Sequence, residues 1–329
     1  MKKIYIAFCG KYNNAIGPVQ SMIVIYEILK KSHNCSISSN LKSKENIKKG
    51  LKKKPNHLAK IAKYYLSPLI DIYYIFVFNI NVFKNIKSDV IIITQPFLIV
   101  PVKFFGIKLI YTRRANVLDK VLIANSATKR VFERVFYLIQ NYQTIYLVPQ
   151  ASGSTFIPNA FDINRINPQS YTLIKKCYFA GTWNKRKGSE EMKELLDKGI
   201  LKKIIAFGEI HESLPKGVDH KGVVKNPSYL YMPGDIYLSF SSLEGLQRSV
   251  MEALIRGCFV ICLKRPDSLF LSQSPLVYVV NNLLEVENTL LKIDSISLES
   301  YQKMYEENYK FLSSKFSKKV IQEKWLSLT

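Results

Sequence analysis

Short apolar runs alternate with helix-patterned stretches through nearly the whole chain, and this alternation restricts it to a layered α/β fold. In the first half the runs are Ile4 to Cys9, Asp89 to Thr94 and Lys108 to Thr112. In the second half they are Cys177 to Ala180, Ile204 to Phe207, the vicinity of Val218, Ile236 to Phe240, Phe259 to Leu263 and Val277 to Val280. Each is too short for a helix, and each is rich in β-branched or aromatic residues, as suits strands buried on both faces. Helical spacing covers Val19 to Lys31, Val121 to Ile139, Glu190 to Leu196, Ser249 to Ile255 and Leu283 to Ile293, with an amphipathic tail from Tyr301 to Leu328. Strand, loop and helix in repetition predict parallel strands of doubly wound type. The Pro-, Asn- and Asp-rich stretch Phe156 to Pro168 reads as a linker between two such domains. A length of 329 residues is enough for two full cores.

Charge separates the halves. Residues 1–165 carry 25 Lys plus Arg against 7 Asp plus Glu, while residues 166–329 carry 23 against 18. Residues 41–63 alone hold nine Lys and one Glu. Three readings apply to this stretch: a solvated loop, a nucleic-acid contact from charge alone, or attraction to anionic lipid. No nucleic-acid motif accompanies it, so no nucleic-acid partner is expected. Neighbouring Leu, Ile and Tyr residues suit a lipid interface, and the lipid reading is preferred. Tyr64 to Phe83 is nearly long enough to span a bilayer. Pro68, Asp71, Asn79 and Asn81 argue against spanning, since a mid-helix Asp costs about 2.5–3.5 kcal/mol on insertion. It reads instead as a helix packed on the sheet, with an exposed aromatic face. The apolar run at the start is too short for a signal peptide and reads as a strand. Five cysteines form no CxxC pair; Cys9, Cys258 and Cys262 lie in apolar strand-like runs and read as buried thiols, which favours a reducing compartment. The four histidines lack ligand spacing, and no metal cluster or Ser-His-Asp arrangement is visible.

Two stretches carry chemistry. In the first, Ser241 to Gly257, Glu244 falls in a strand-to-helix loop and Glu252 in the first turns of the following helix, which Gly257 closes. Such a loop borders the crevice where ligands bind in an open parallel sheet, and the helix start offers N–H groups to an anion. The plainer reading is a surface Glu and a helix-favouring Glu. In the second, Phe179 to Gly188, a strand leads to Gly181, and Lys185, Arg186 and Lys187 then precede Gly188 and a helix. Fixed cations there could neutralise a departing diphosphate without a metal. The plainer reading is a solvated basic turn.

The surrounding residues turn these patterns into a resemblance. Glu244-Gly-Leu-Gln-Arg-Ser-Val-Met-Glu-Ala253 resembles the Glu-x7-Glu motif of retaining GT-B glycosyltransferases of family 4, in its Glu-Gly-Leu-Pro-Arg-Ser-x-x-Glu-Ala variant. Gln247 departs from the usual Pro or Gly and is expected to leave a free side chain near the donor. Gly181 to Gly188 is similar to the family's Gly-Arg-x-x-x-x-Lys-Gly element: Lys187 matches its Lys, whereas Thr182 stands at its Arg, with Arg186 or Arg248 able to substitute. Phe156 to Pro168 resembles the family's interdomain stretch.

The resemblance implies two Rossmann-like α/β/α domains facing a cleft: 1–160 binding acceptor, 161–310 binding nucleotide sugar, and a helix over 311–329 crossing back. It implies sugar transfer from a nucleotide sugar, UDP-linked by preference, to a glycan acceptor, expected to be lipid-linked, in bacterial surface polysaccharide synthesis. Glu244, Lys187 and Arg186 would be catalytic. Gly181, Thr182, Gly245, Leu246, Gln247, Arg248, Ser249 and Glu252 would bind donor. Gly17 would lie in the first loop, and either Arg113 or Arg114 would line the cleft where relatives carry a His, or both would be surface cations. No cofactor or metal is expected. The protein would be cytoplasmic, at the inner face of an anionic plasma membrane. A non-catalytic relative binding nucleotide or membrane, or a GT-B epimerase, are the alternatives.

Overall fold

The computed structural model describes residues 1–7, 17–37, 57–113, 127–147, 155–168, 171, 175–224, 226–242 and 245–329, with side chains described outside 17–20 and 57–70. The chain divides into two compact units. One holds Met1–Leu147, the stretch up to Asn159, and Gln322–Thr329; the other is built on Ala160–Ile321.

In the first unit the strands are β1 (Lys3–Ala7), β2 (Asn34–Ile37), β3 (Val90–Ile93), β4 (Lys108–Arg113) and β5 (Gln143–Tyr146). All pair parallel, in the order β2-β1-β3-β4-β5. Among the described residues three α-helices connect them: α1 (Gly17–Leu29), α2 (His57–Lys84) and α3 (Ala127–Ile139). Every residue of β3 is buried, as its unbroken apolar run requires. The basic stretch extends into α2, because the helix begins at His57 and takes in Lys60 and Lys63 as well as Pro68. Asp71 of α2 is buried and pairs with Lys129 of α3 at 2.8 Å. Among the described residues no helix is long and apolar enough to cross a membrane.

In the second unit the strands are β6 (Cys177–Ala180), β7 (Ile204–Phe207), β8 (Val218–His220), β9 (Ile236–Ser239), β10 (Phe259–Leu263) and β11 (Val277–Val280). They form one parallel sheet in the order β11-β10-β9-β6-β7-β8. The helices are α4 (Ser189–Asp197), α5 (Arg248–Ile255), α6 (Pro266–Leu271), α7 (Leu284–Asp294) and α8 (Leu298–Phe316), followed by α9 (Lys318–Leu328). The expected single tail helix is therefore two. Ser317 has extended backbone between them and bridges to Phe161. The last residues belong to the first unit, where Lys108 Nζ donates to the Leu328 carbonyl at 2.6 Å and Trp325 is buried.

The strand order decides where a ligand can bind. β6 opens the second sheet; the chain then adds β7 and β8 on one side before returning to place β9 on the other. The loops after β6 and β9 therefore diverge at the switch point of the sheet, where a crevice opens at the carboxyl ends of the strands.

Candidate functional site

Both chemically marked stretches lie at this switch point. After β6, Asn184 caps a 3-10 turn over Lys185–Lys187, its side chain accepting from the Lys187 N–H at 3.0 Å. Glu212, from the loop after β7, pins the same turn. It accepts from the Lys185 N–H at 2.9 Å and from the Ser189 hydroxyl. These two bonds, the Ser189 one first, hold the Glu212 carboxyl below its usual range, so the pin persists at neutral pH and is released only in acid. Lys185 turns away to Glu190 at 3.0 Å. Arg186 is exposed and Lys187 half-buried.

Backbone contact joins the two loops. The Ser242 N–H donates to the Arg186 carbonyl at 3.0 Å. Gly188, at φ 91°, allows this approach: a Cβ there would stand 2.7 Å from Phe240 Cβ. The loop after β7 presses in from the other side. A Cβ on Gly208 would lie 2.0 Å from the Gly181 carbonyl oxygen. His220 is half-buried; its Nε2 donates to the Gly208 carbonyl at 2.8 Å and secures that loop.

The loop after β9 is held from within. Gln247 is buried, its Oε1 accepting from the Ser239 hydroxyl at 2.8 Å and its Nε2 donating to the Ser241 hydroxyl at 3.0 Å. This corrects the expectation of a free Gln247 side chain: its amide braces the end of β9 against the start of α5. Arg265, clamped by Asp267, donates to the Ser241 carbonyl at 2.5 Å. Leu246 is buried in the core and Gly245 is half-buried. At the start of α5, Arg248 Nε pairs with Glu252 Oε1 at 2.8 Å, and its guanidinium lies 5.9 Å from the Phe161 ring centre. Ser249 and Thr182 are half-buried. Glu244 lies outside the described residues.

Replacing Gln247 with Ala strands the Ser239 and Ser241 hydroxyls in a buried place. The expected loss is about 1–3 kcal/mol of stability, read by urea unfolding; a loss under ~0.5 kcal/mol would contradict the bracing role.

In the first unit, Gly17 begins α1. Arg113 ends β4 and is buried, so the surface-cation reading does not hold for it. Its charge acts on Tyr111 and Tyr137, as does that of the fully buried Glu133. Desolvation pushes Tyr137 up to about 12. Arg114 and the lysine-rich residues 42–54 lie outside the described residues. Cys258 and Cys262 are buried thiols, as expected. A cavity of about 580 Å³ lies at the other end of the second sheet, near Lys175, Cys177 and Lys203 at the strand starts. It is remote from the carboxyl-end crevice, and Lys175 in it is paired with Asp294 at 3.2 Å.

Comparison with solved structures fixes the architecture. HepE of Anabaena in complex with UDP superposes with a TM-score of 0.65 at 13% identity, over 100% of this chain and 99% of that one. WaaG, a glycosyltransferase involved in lipopolysaccharide biosynthesis, gives 0.61 at 11% identity, over 99% of each chain. The chain has the GT-B fold. TarM of S. aureus, solved with UDP and alpha-GlcNAc-glycerol, gives 0.53 at 17% identity; the chain spans 55% of its length, with 73% of its own length matched. No protein-family model matches the sequence, and no curated protein matches it.

Proposed function

We propose that the protein is a retaining glycosyltransferase of family 4 that moves a sugar from a UDP-sugar to a glycan acceptor, lipid-linked, in surface polysaccharide synthesis. The observation that supports this best is the meeting of the basic turn after β6 with the loop after β9 at the sheet's switch point, tied by the Ser242–Arg186 bond. HepE and TarM, which share the fold, were solved with UDP.

Glu244 holds donor-sugar hydroxyls and Glu252 holds the ribose, for which Arg248 must yield its ion pair. Gly181, Thr182 and Gly245 let backbone approach the donor, and N–H groups at the start of α5, from Leu246 to Ser249, face its phosphates. Lys187 and Arg186 offset the charge on the β-phosphate as the glycosidic bond breaks, so the reaction proceeds without a metal. On the acceptor side either Arg113, buried at the end of β4, or Arg114 contacts the glycan. Catalysis takes place at the inner face of an anionic membrane.

Time-resolved NMR of product formed from an α-linked UDP-sugar tests the reading. An α-linked first product, lost in Glu244→Ala while the fold survives, is the expected result. A β-linked product overturns retention, and transfer by Glu244→Ala within about tenfold of wild type removes Glu244 from the mechanism.

A further inference from the structure

One layer of the first unit exposes an apolar surface that its own fold leaves uncovered. α2, the segment 97–105 and α3 pack on the same core through Ile75, Phe78, Val82, Phe97, Val102 and Phe136. Asn79 ties α2 to the segment through the Phe97 carbonyl and the Ile99 N–H; Gln140 ties α3 to it through the Leu98 and Val100 carbonyls. The side chains these elements turn away from the core therefore share the outer side of one layer.

Those outward side chains are large and apolar. They include Tyr73, Phe76 and Phe83 on α2, Phe104 and Phe105 on the segment, and Leu138 on α3. Apart from Met1, every large hydrophobic residue described as exposed in the first unit lies on this layer. Charge on the layer is one-sided. Lys84, Lys103, Arg130 and Arg134 are exposed. The acids Asp71 and Glu133 are buried, the first of them paired with Lys129. An exposed apolar surface of this kind marks an interaction site. Exposed rings and exposed cations on one layer, with Lys103 5.3 Å from the Phe104 ring centre and the acids withdrawn, match a bilayer whose headgroups are anionic and whose interior is apolar.

We propose that the outer side of the α2, 97–105 and α3 layer docks on an anionic lipid bilayer, with Phe76, Phe104 and Phe105 inserted among the headgroups. This deepens the proposed lipid-linked acceptor and rests on that reading for its purpose, since it would bring a membrane-anchored glycan to the unit that binds acceptor. The lysine-rich residues 42–54 are not required for it.

Flotation with mixed phosphatidylglycerol–phosphatidylcholine vesicles, run without nucleotide, tests the docking independently of any transfer reaction. Wild type is expected to float with mixed vesicles and not with pure phosphatidylcholine. The triple variant Phe76→Ser, Phe104→Ser and Phe105→Ser should bind about tenfold more weakly at low salt. Its melting temperature and its turnover of a short water-soluble acceptor should be unchanged. A Phe104→Trp variant should be quenched by brominated lipid. Equal flotation of the Ser variant, binding to neutral vesicles as strong as to anionic ones, or no quenching at Trp overturns the proposal. So does a wild-type dimer in sedimentation velocity that the Ser variant dissolves, which would assign the surface to a second copy. Flotation with no transfer activity would leave the docking standing and remove the glycosyltransferase reading.

Discussion

Lys187→Ala is expected to lower kcat/KM for sugar transfer by about 100- to 1,000-fold, equivalent to roughly 2–4 kcal/mol of transition-state stabilisation. The cation is half-buried and its stem runs beside Gly181, which on the proposed donor placement holds it near the departing β-phosphate. Its backbone is fixed by Asn184 and the turn by Glu212, so the loss falls on charge rather than on fold. The melting temperature should stay within about 2 °C of wild type. Arg186→Ala costs a comparable amount if Arg186 supplies the charge that Thr182 lacks. If Lys187→Ala leaves the rate unchanged while Arg248→Ala abolishes it, the diphosphate lies at the start of α5 instead.

Gly208→Ala is expected to produce the largest loss of stability of any Gly→Ala change at the described glycines of the second unit. The new Cβ would lie 2.0 Å from the Gly181 carbonyl oxygen, and the residue sits at φ 128°. The atom it meets is backbone, so no flexible side chain can yield. Overpacking and backbone strain together cost roughly 3–5 kcal/mol. Relief would push Gly181 and the turn carrying Lys187 out of place, so nucleotide affinity should fall with stability. Gly199→Ala is the control. Its φ is 71° but a Cβ there meets nothing within 4 Å, so only the backbone cost of about 1 kcal/mol remains. Equal melting temperatures for the two variants would refute the contact between the loops.

The second sheet was legible because its strands are unbroken apolar runs bounded by glycine or polar loops, as in Phe259 to Leu263. Among the described residues, the two strands that sequence reading missed are both edges. β2 reads Asn-Cys-Ser-Ile with alternating exposure, and β5 reads Gln-Thr-Ile-Tyr with its first two residues half-exposed. An edge strand needs only part of its length apolar, so its run is too weak to separate from a loop. At the site, Lys187 and the start of α5 were visible as motifs. The supports were not. Gln247 acts through Ser239 and Ser241, Glu212 through a turn on another loop, and Arg265 through a carbonyl. Each depends on contacts that the strand order creates. The burial of Arg113 was hidden for the same reason: Glu133, buried in the same unit, lies on a helix separated from β4 in sequence.

A thermal-shift panel of UDP-, GDP- and other nucleotide sugars tests most directly whether the crevice at β6 and β9 binds a sugar nucleotide. A ligand at 100 times its Kd stabilises the folded state by about 2.7 kcal/mol, enough to raise the melting temperature by several degrees. The account predicts that a UDP-sugar gives such a shift, that GDP-sugars give less, and that Lys187→Ala reduces it. If no nucleotide sugar moves the melting temperature, or the shift is the same in Lys187→Ala, the crevice is not a donor site and the glycosyltransferase reading fails.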